Sequence, residues 1–206
     1  MPSYSREQWY EFNRLRYPTA QYNTNKYPYD EGKGRCGSTA VAILLEYYSR
    51  TVDSNFIPPL LRDETGTKLT NYLHPLIEDK VSENYGRFDN IIMNATPPEV
   101  REGLQWYLDG ILKSYLNSIG YENYDAYLSE FNFQKLKQLI NLDIPIILGT
   151  SNHPDFHNHF VVACGWGIWQ EKLGGLSNWT IVNDGWGNNN RLTDDRYFDS
   201  MIYISP

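Results

Sequence analysis

Residues 34–48 read "GRCGSTAVAILLEYY", and how they are read decides the fold. After Cys36 only Ser38, Thr39 and Glu46 are plainly polar. The apolar positions therefore cover more than one face of a 3.6-residue repeat. That pattern predicts a helix over 36–48 buried on most sides, not one lying on the surface. Cys36 stands where this helix begins. A helix N-terminus offers a positive dipole and N–H groups without partners, which together favour a thiolate. It follows Gly32 and Gly34, and the small Gly37 and Ser38 after it keep the entrance open. The competing reading is a small buried hydrophobe at a helix end.

Outward from this helix the chain changes character once. The stretch before it, to Lys33, is rich in Tyr, Asn, Pro and Gly and reads as extended. "TKLTNYLHPLIEDKV" (67–81) has Leu69, Tyr72, Leu73, Leu76 and Ile77 at helical spacing, with Pro75 expected to strain or end the helix. "TPPEVREGLQWYLDGILKSYLNSIG" (96–120) follows, with Thr96 as cap, Pro97 in the first turn and Glu99 completing a capping box. "NFQKLKQLINL" (132–142) is a short amphipathic helix. After Asp143 the runs "IPIILGT", "HFVVACGW", "WTIVND" and "SMIYIS" read as strands, with "EKLGGLSN" as a hairpin connection. Helices first and strands second predict an α+β fold, mainly helical over 1–143 and β-rich over 144–206, in a single domain.

Composition excludes several classes of function. Of 206 residues, 41% are hydrophobic and 21% charged, which suffices for a core. The net charge of −7 without a basic cluster argues against nucleic acid and anionic membranes as partners. No apolar run is long enough to span a bilayer, and "MPSYSREQWYEF" has no signal-peptide core. Two cysteines do not make a disulfide scaffold. Seventeen tyrosines read as half-buried structural aromatics or as the lining of a cleft.

Three segments carry candidate chemistry. In "NHFVVACGWG" His159 opens a strand, sharing a face with Val161 and Ala163, while Phe160, Val162 and Cys164 take the other. A histidine there can act as a general base or pair with a thiolate. Cys164, mid-strand, reads as an inert core thiol. In "NWTIVNDGWG" Asn183 and Asp184 end a strand before Gly185-Trp186-Gly187. A polar side chain at that point can hold the imidazole in one tautomer, and a tryptophan can shield the bond. His153, Asp155, His157 and His159 lie close together and raise a zinc site as a rival, although Pro154 and the lack of a second ligand pair speak against it. "GNNNRLTDDRYFD" (187–199) reads as a solvated loop, with calcium binding through Asp194, Asp195 and the asparagine side chains as the alternative.

The ordered set of Cys at a helix start, His at a strand start and Asn at the end of the next strand resembles the papain-like cysteine peptidases. The match lies in "GRCGSTAVAILLEYY", "HNHFVVACGWG" and "WTIVNDGWGNN", and is closest to bacterial streptopain-like and bacteriocin-processing members. The resemblance implies a papain-like fold and hydrolysis of peptide bonds by Cys36 as nucleophile and His159 as base. It gives Asn183 the orienting role, with Asp184 as the alternative. "AQYNTN" resembles the upstream element that would make Gln21, or else Asn23, a donor to the oxyanion hole; Asp30 stands where plant-type relatives carry that glutamine. It further implies a peptide or protein substrate, no cofactor and no metal, and an extracellular or cell-surface place on a bacterium, with the signal missing from this chain and the cytoplasm as the other option. A catalytically inactive papain-like binding module and a thiol-dependent amidase or acyltransferase are the alternatives. The oligomeric state is left open.

Overall fold

The structure, a computed structural model, describes residues 9–23, 35–85, 98–171 and 174–206. Its elements run β1 (Trp9–Arg14), α1 (Cys36–Thr51), α2 (Thr67–Tyr85), α3 (Pro98–Ser118), β2 (Asp125–Glu130), α4 (Phe133–Asn141), β3 (Ile146–His153), β4 (His157–Gln170), β5 (Leu176–Asn183), β6 (Arg191–Asp194) and β7 (Phe198–Ser205). All strand pairs are antiparallel, in the order β2-β7-β3-β4-β5-β6, and β1 also pairs with β4. The fold is α+β, as the order of sequence patterns predicts.

The 14-residue strand β4 organises the sheet. Its first half pairs with β3 through His159 to Ala163, and its second half with β1 through Gly165 to Trp169. β5 runs along it from Val162 to Gln170. Alternation along each strand sends one set of side chains to each face. Ile147, Val162, Ile202 and Ile204 join the core that α1, α2 and α3 build on one face. Ile146, Leu148, Val161, Ala163 and Met201 join Phe133, Leu136, Leu139 and Ile140 of α4 on the other.

Helix α1 is buried over Gly37–Leu45 and again at Tyr47 and Tyr48, so both sides of its apolar cylinder are used. The Tyr48 hydroxyl donates to the Ile204 carbonyl (2.6 Å), which ties the end of the helix to β7. Asn132 caps α4 by accepting from the Lys135 N–H (2.9 Å).

The structure corrects several expectations. α2 does not stop at Pro75 but runs through it. Leu69, Leu73 and Ile77 are buried on one stripe that spans the proline, whose side chain faces solvent. An interior proline costs a helix about 3 kcal/mol, and burying one Leu or Ile side chain returns roughly 1.5–3 kcal/mol. Two such residues flanking Pro75 outweigh it. "DAYLSE", in the part read as helical, is strand β2 on the edge beside β7. "RLTD", read as loop, is strand β6 on β5, with Thr193 buried. Asp194 accepts from the Arg196 N–H (3.1 Å) and pairs with its guanidinium, which leaves a turn brace where calcium ligation was the alternative. The nominally helical half thus supplies two of the seven strands. Thr96 and Pro97, and the stretch 24–34 with Asp30, Gly32 and Gly34, lie outside the described residues.

Leu44→Ala, at a fully buried position of α1, is expected to cost about 2–5 kcal/mol in urea unfolding. Leu142→Ala, at an exposed site, is expected to stay within about 0.5 kcal/mol. Equal losses in the two variants would contradict a core centred on α1.

Candidate functional site

Cys36 is the first residue of α1, with Arg35 as the N-cap. The Arg35 carbonyl accepts from the Thr39 N–H (2.9 Å) and the Ser38 hydroxyl (3.0 Å), which closes the first turn tightly beneath the sulfur. Gly37 sits against Leu108 of α3 and Phe160 of β4; a Cβ there would lie 3.3 Å from a Leu108 methyl. The helix start is thereby pressed to the sheet. The β4–β5 register ends at Val162 and Asn183, so Phe160 lies beyond the end of β5 and its N–H turns to the Cys36 sulfur. The Gly37 N–H points to the same sulfur.

His159 is two residues into β4, and its backbone is pinned by Thr150 of β3. The Thr150 hydroxyl accepts from the His159 N–H (3.0 Å) and lies 3.1 Å from the His157 and His159 carbonyls. The imidazole and the Cys36 thiol are hydrogen-bond partners. The Nε2–H donates to the main-chain carbonyl of Asp184 (2.8 Å). A carbonyl only accepts, so Nε2 carries the proton and Nδ1 is left for the sulfur. The indole of Trp186 stacks on the ring, with centroids 4.5 Å apart and planes 27° from parallel.

The pair reverses what burial alone would do. Burial is the largest influence on both groups and opposes charge on each. For Cys36 it is outweighed by the bond to His159, the imidazolium charge and the amides of Phe160 and Gly37, and the thiol falls below its ordinary value. For His159 the bond to Cys36 and the thiolate charge, with the carbonyl and charge of Asp184, hold the imidazole above its ordinary value. Each group thus favours the charged form of the other.

The atom bonded to His159 Nε2 belongs to the Asp184 main chain, not to the Asn183 or Asp184 side chain. Asn183, fully buried, donates to Thr19 Oγ1 (3.0 Å) and the Ala20 carbonyl (2.6 Å) and accepts from the Gly185 N–H (3.0 Å). It ties the chain before α1 to the end of β5. The Asp184 carboxylate accepts from the N–H groups of Trp186 (2.9 Å) and Asn188 (3.1 Å). The Asp184 carboxylate thus braces its own turn, while the Asn183 side chain joins that turn to the segment before α1. Gly185 (φ 68°) and Gly187 (φ 96°) take the left-handed backbone that this reversal needs. Gln21 is exposed, and its side-chain amide donates to Asn189 Oδ1 (3.4 Å). The Asn23 amide donates to the Trp186 carbonyl (2.9 Å), so Asn23 borders the site.

The other histidines have separate duties. His153 Nδ1 accepts from the N–H groups of Asp155 (3.0 Å) and Phe156 (3.2 Å), which requires its lone pair and fixes the β3–β4 turn. Burial keeps this imidazole below its ordinary pKa. His157, at φ 55°, supplies the left-handed residue of that turn. Among the described residues no group of three could hold a metal ion. Both cysteines are free thiols. Cys164 does not face away from Val161 and Ala163 as strict alternation predicts. A bulge between Ala163 and Gly165 turns it into the same core cluster, and burial raises its pKa to about 11.

Sequence reasoning missed Phe160, Thr150 and Phe156. Phe156, an aromatic in an otherwise polar turn, was a usable signal; its ring lies 5.7 Å from Trp186 and 6.0 Å from His159. Phe160 acts through its backbone, which leaves no mark in a sequence.

The model of the Peptidase_C39 like family matches residues 15–203. The match takes in Cys36, His159 and the Asn183–Gly187 turn, and the chain belongs to this family of the papain-like cysteine peptidase superfamily. No curated protein matches the chain.

Iodoacetamide is expected to alkylate Cys36 at pH values below the ordinary thiol range near 8.5, and to leave Cys164 unmodified in the folded protein near neutral pH. Peptide mapping after timed labelling reads both sites. Preferential labelling of Cys164 would contradict the electrostatics described here.

Proposed function

We propose, with membership of the Peptidase_C39 like family as premise, that this protein hydrolyses peptide bonds with Cys36 as nucleophile and His159 as acid and base. The observation that carries the reading is the mutual hydrogen bond of Cys36 and His159, with the thiol shifted down and the imidazole up. A paired thiolate at a helix start is the activated nucleophile of acyl transfer.

In this mechanism the Cys36 thiolate attacks the substrate carbonyl carbon, and the carbonyl oxygen takes the charge. The amide at the start of α1 faces that oxygen as a donor reinforced by the helix dipole. The His159 imidazolium passes its Nδ1 proton to the departing amine, the C–N bond breaks and a thioester remains. His159, now neutral, takes a proton from water as it attacks the thioester. The carboxylic product leaves and the thiolate–imidazolium pair is restored. Asp184 orients the imidazole through its carbonyl, Asn183 holds the turn from behind, and Trp186 covers the bond. Gln21 is the candidate for the second oxyanion donor, with Asn23, whose amide is bonded to the Trp186 carbonyl, as the alternative. The substrate is a peptide or protein, and the chemistry calls for no cofactor.

Cys36→Ala and His159→Ala are expected to abolish hydrolysis of a peptide substrate with little change in thermal unfolding. Full activity in Cys36→Ala would remove the nucleophile from the scheme. Activity against pH should form a bell. It rises with thiolate formation below the ordinary thiol range and falls as the imidazolium loses its proton, above the ordinary histidine value near 6.5. At Asp184 the main-chain role gives a specific order. Asp184→Asn, which keeps an oxygen for the Trp186 and Asn188 amides, should retain turnover within about tenfold. Asp184→Ala should lose about ten- to a hundredfold. Equal and severe losses would mean that the carboxylate itself holds the imidazole.

A further inference from the structure

Arg191, the first residue of β6, lies outside the residues assigned a role above. Its guanidinium meets three groups from two separate turns. It pairs with Asp155 (2.8 Å) and lies 4.5 Å over the ring of Phe156, both in the β3–β4 turn that leads into His159. It also reaches the Asp184 carboxylate at 3.8 Å, in the turn after β5 whose carbonyl holds the imidazole. The Arg191 side chain is about four-fifths buried and that of Asp184 almost wholly so. Phe156 in turn stacks on His153 at 4.3 Å and sits beside Trp186.

We propose that Arg191 is a positioning residue for the thiolate–imidazolium pair, fastening the turn that carries His159 to the turn that supplies its carbonyl partner and its Trp186 cover. The inference rests on the reading of Cys36 and His159 given above. Its physical basis is the fork of arginine. One arm of the guanidinium pairs closely with Asp155, the other faces the Asp184 carboxylate at ion-pair distance, and the planar face lies on an aromatic ring. A point charge on a flexible stem cannot hold all three together. Without the clamp, the Asp184 carbonyl and the indole lose their fixed relation to the imidazole. The imidazolium is then held less firmly and the Cys36 thiolate loses part of its support.

The test is the pH dependence of iodoacetamide alkylation of Cys36, measured in a Cys164→Ala background, with urea unfolding as a control for the fold. This readout needs no substrate. Arg191→Gln is expected to move the midpoint of thiolate formation up by about half to one pH unit and to lower kcat on a peptide about tenfold with KM nearly unchanged. Arg191→Lys, which keeps the charge but not the fork, should remain displaced. Asp155→Asn, at an exposed partner, should be displaced by a smaller amount and keeps the test open if Arg191→Gln fails to fold. A wild-type midpoint in Arg191→Lys, or in both Arg191→Gln and Asp155→Asn, overturns the inference even if unfolding shows lost stability. An ordinary thiol profile in the parent protein instead overturns the Cys36–His159 reading itself.

Discussion

Helix α1 cannot leave the interior. Nine consecutive residues from Gly37 are buried, and the chain around them is arranged to cover a cylinder with no polar side. Covering it takes α2 and α3 on one flank and the sheet on the other, because one neighbour can hide only one stripe. Once the helix lies on the sheet, its N-terminus falls beyond the end of β5. There the β4 backbone has an amide, that of Phe160, to offer the sulfur. The Cys36 end of the helix and the open end of the sheet are brought together by the demand to bury leucines and isoleucines some distance away.

The two cysteines serve as a comparison within one molecule. Cys164 is buried and Cys36 half-buried, and both lose hydration that would stabilise a thiolate. Cys164, on the bulge of β4, has carbonyls of Ile181 and Asn189 at 3.4 and 3.5 Å, and its pKa rises to about 11. Cys36 has an imidazole and two amide N–H groups, and its pKa falls. Burial acts on both in the same direction; at Cys164 the Arg14 guanidinium opposes it without offsetting it, whereas at Cys36 the imidazole and two amides together outweigh it. Burial in turn strengthens the pair at Cys36, since attraction between opposite charges grows as water is excluded.

Much of the supporting structure works through the main chain. Thr150 fixes the His159 backbone, His153 fixes the turn before it with a ring nitrogen on two amides, and Asp184 offers a carbonyl while its carboxylate braces its own turn. Asn183 stitches the segment at Thr19 and Ala20 to the end of β5. These side chains set where backbone groups point, and the backbone groups meet the imidazole and the sulfur.

The sequence by itself determined the buried helix, the order of helices and strands, and the residue types gathered at the site, because periodicity and turn residues are local properties. It marked Cys36 at a helix start, His159 at a strand start and Trp186 between two glycines. Tertiary structure decided the rest. Pro75 lies within a helix because Leu73 and Ile77 bury on either side of it. "DAYLSE" and "RLTD" are strands because partners with matching edges stand beside them. A bulge at Cys164 moves that thiol to the other face, and alternation counted from the sequence cannot register an extra residue. Above all, the choice between Asn183 and Asp184 rested on side chains, whereas the atom that meets His159 is a carbonyl. Every residue has one, and only the path of the chain through space decides which of them reaches the imidazole.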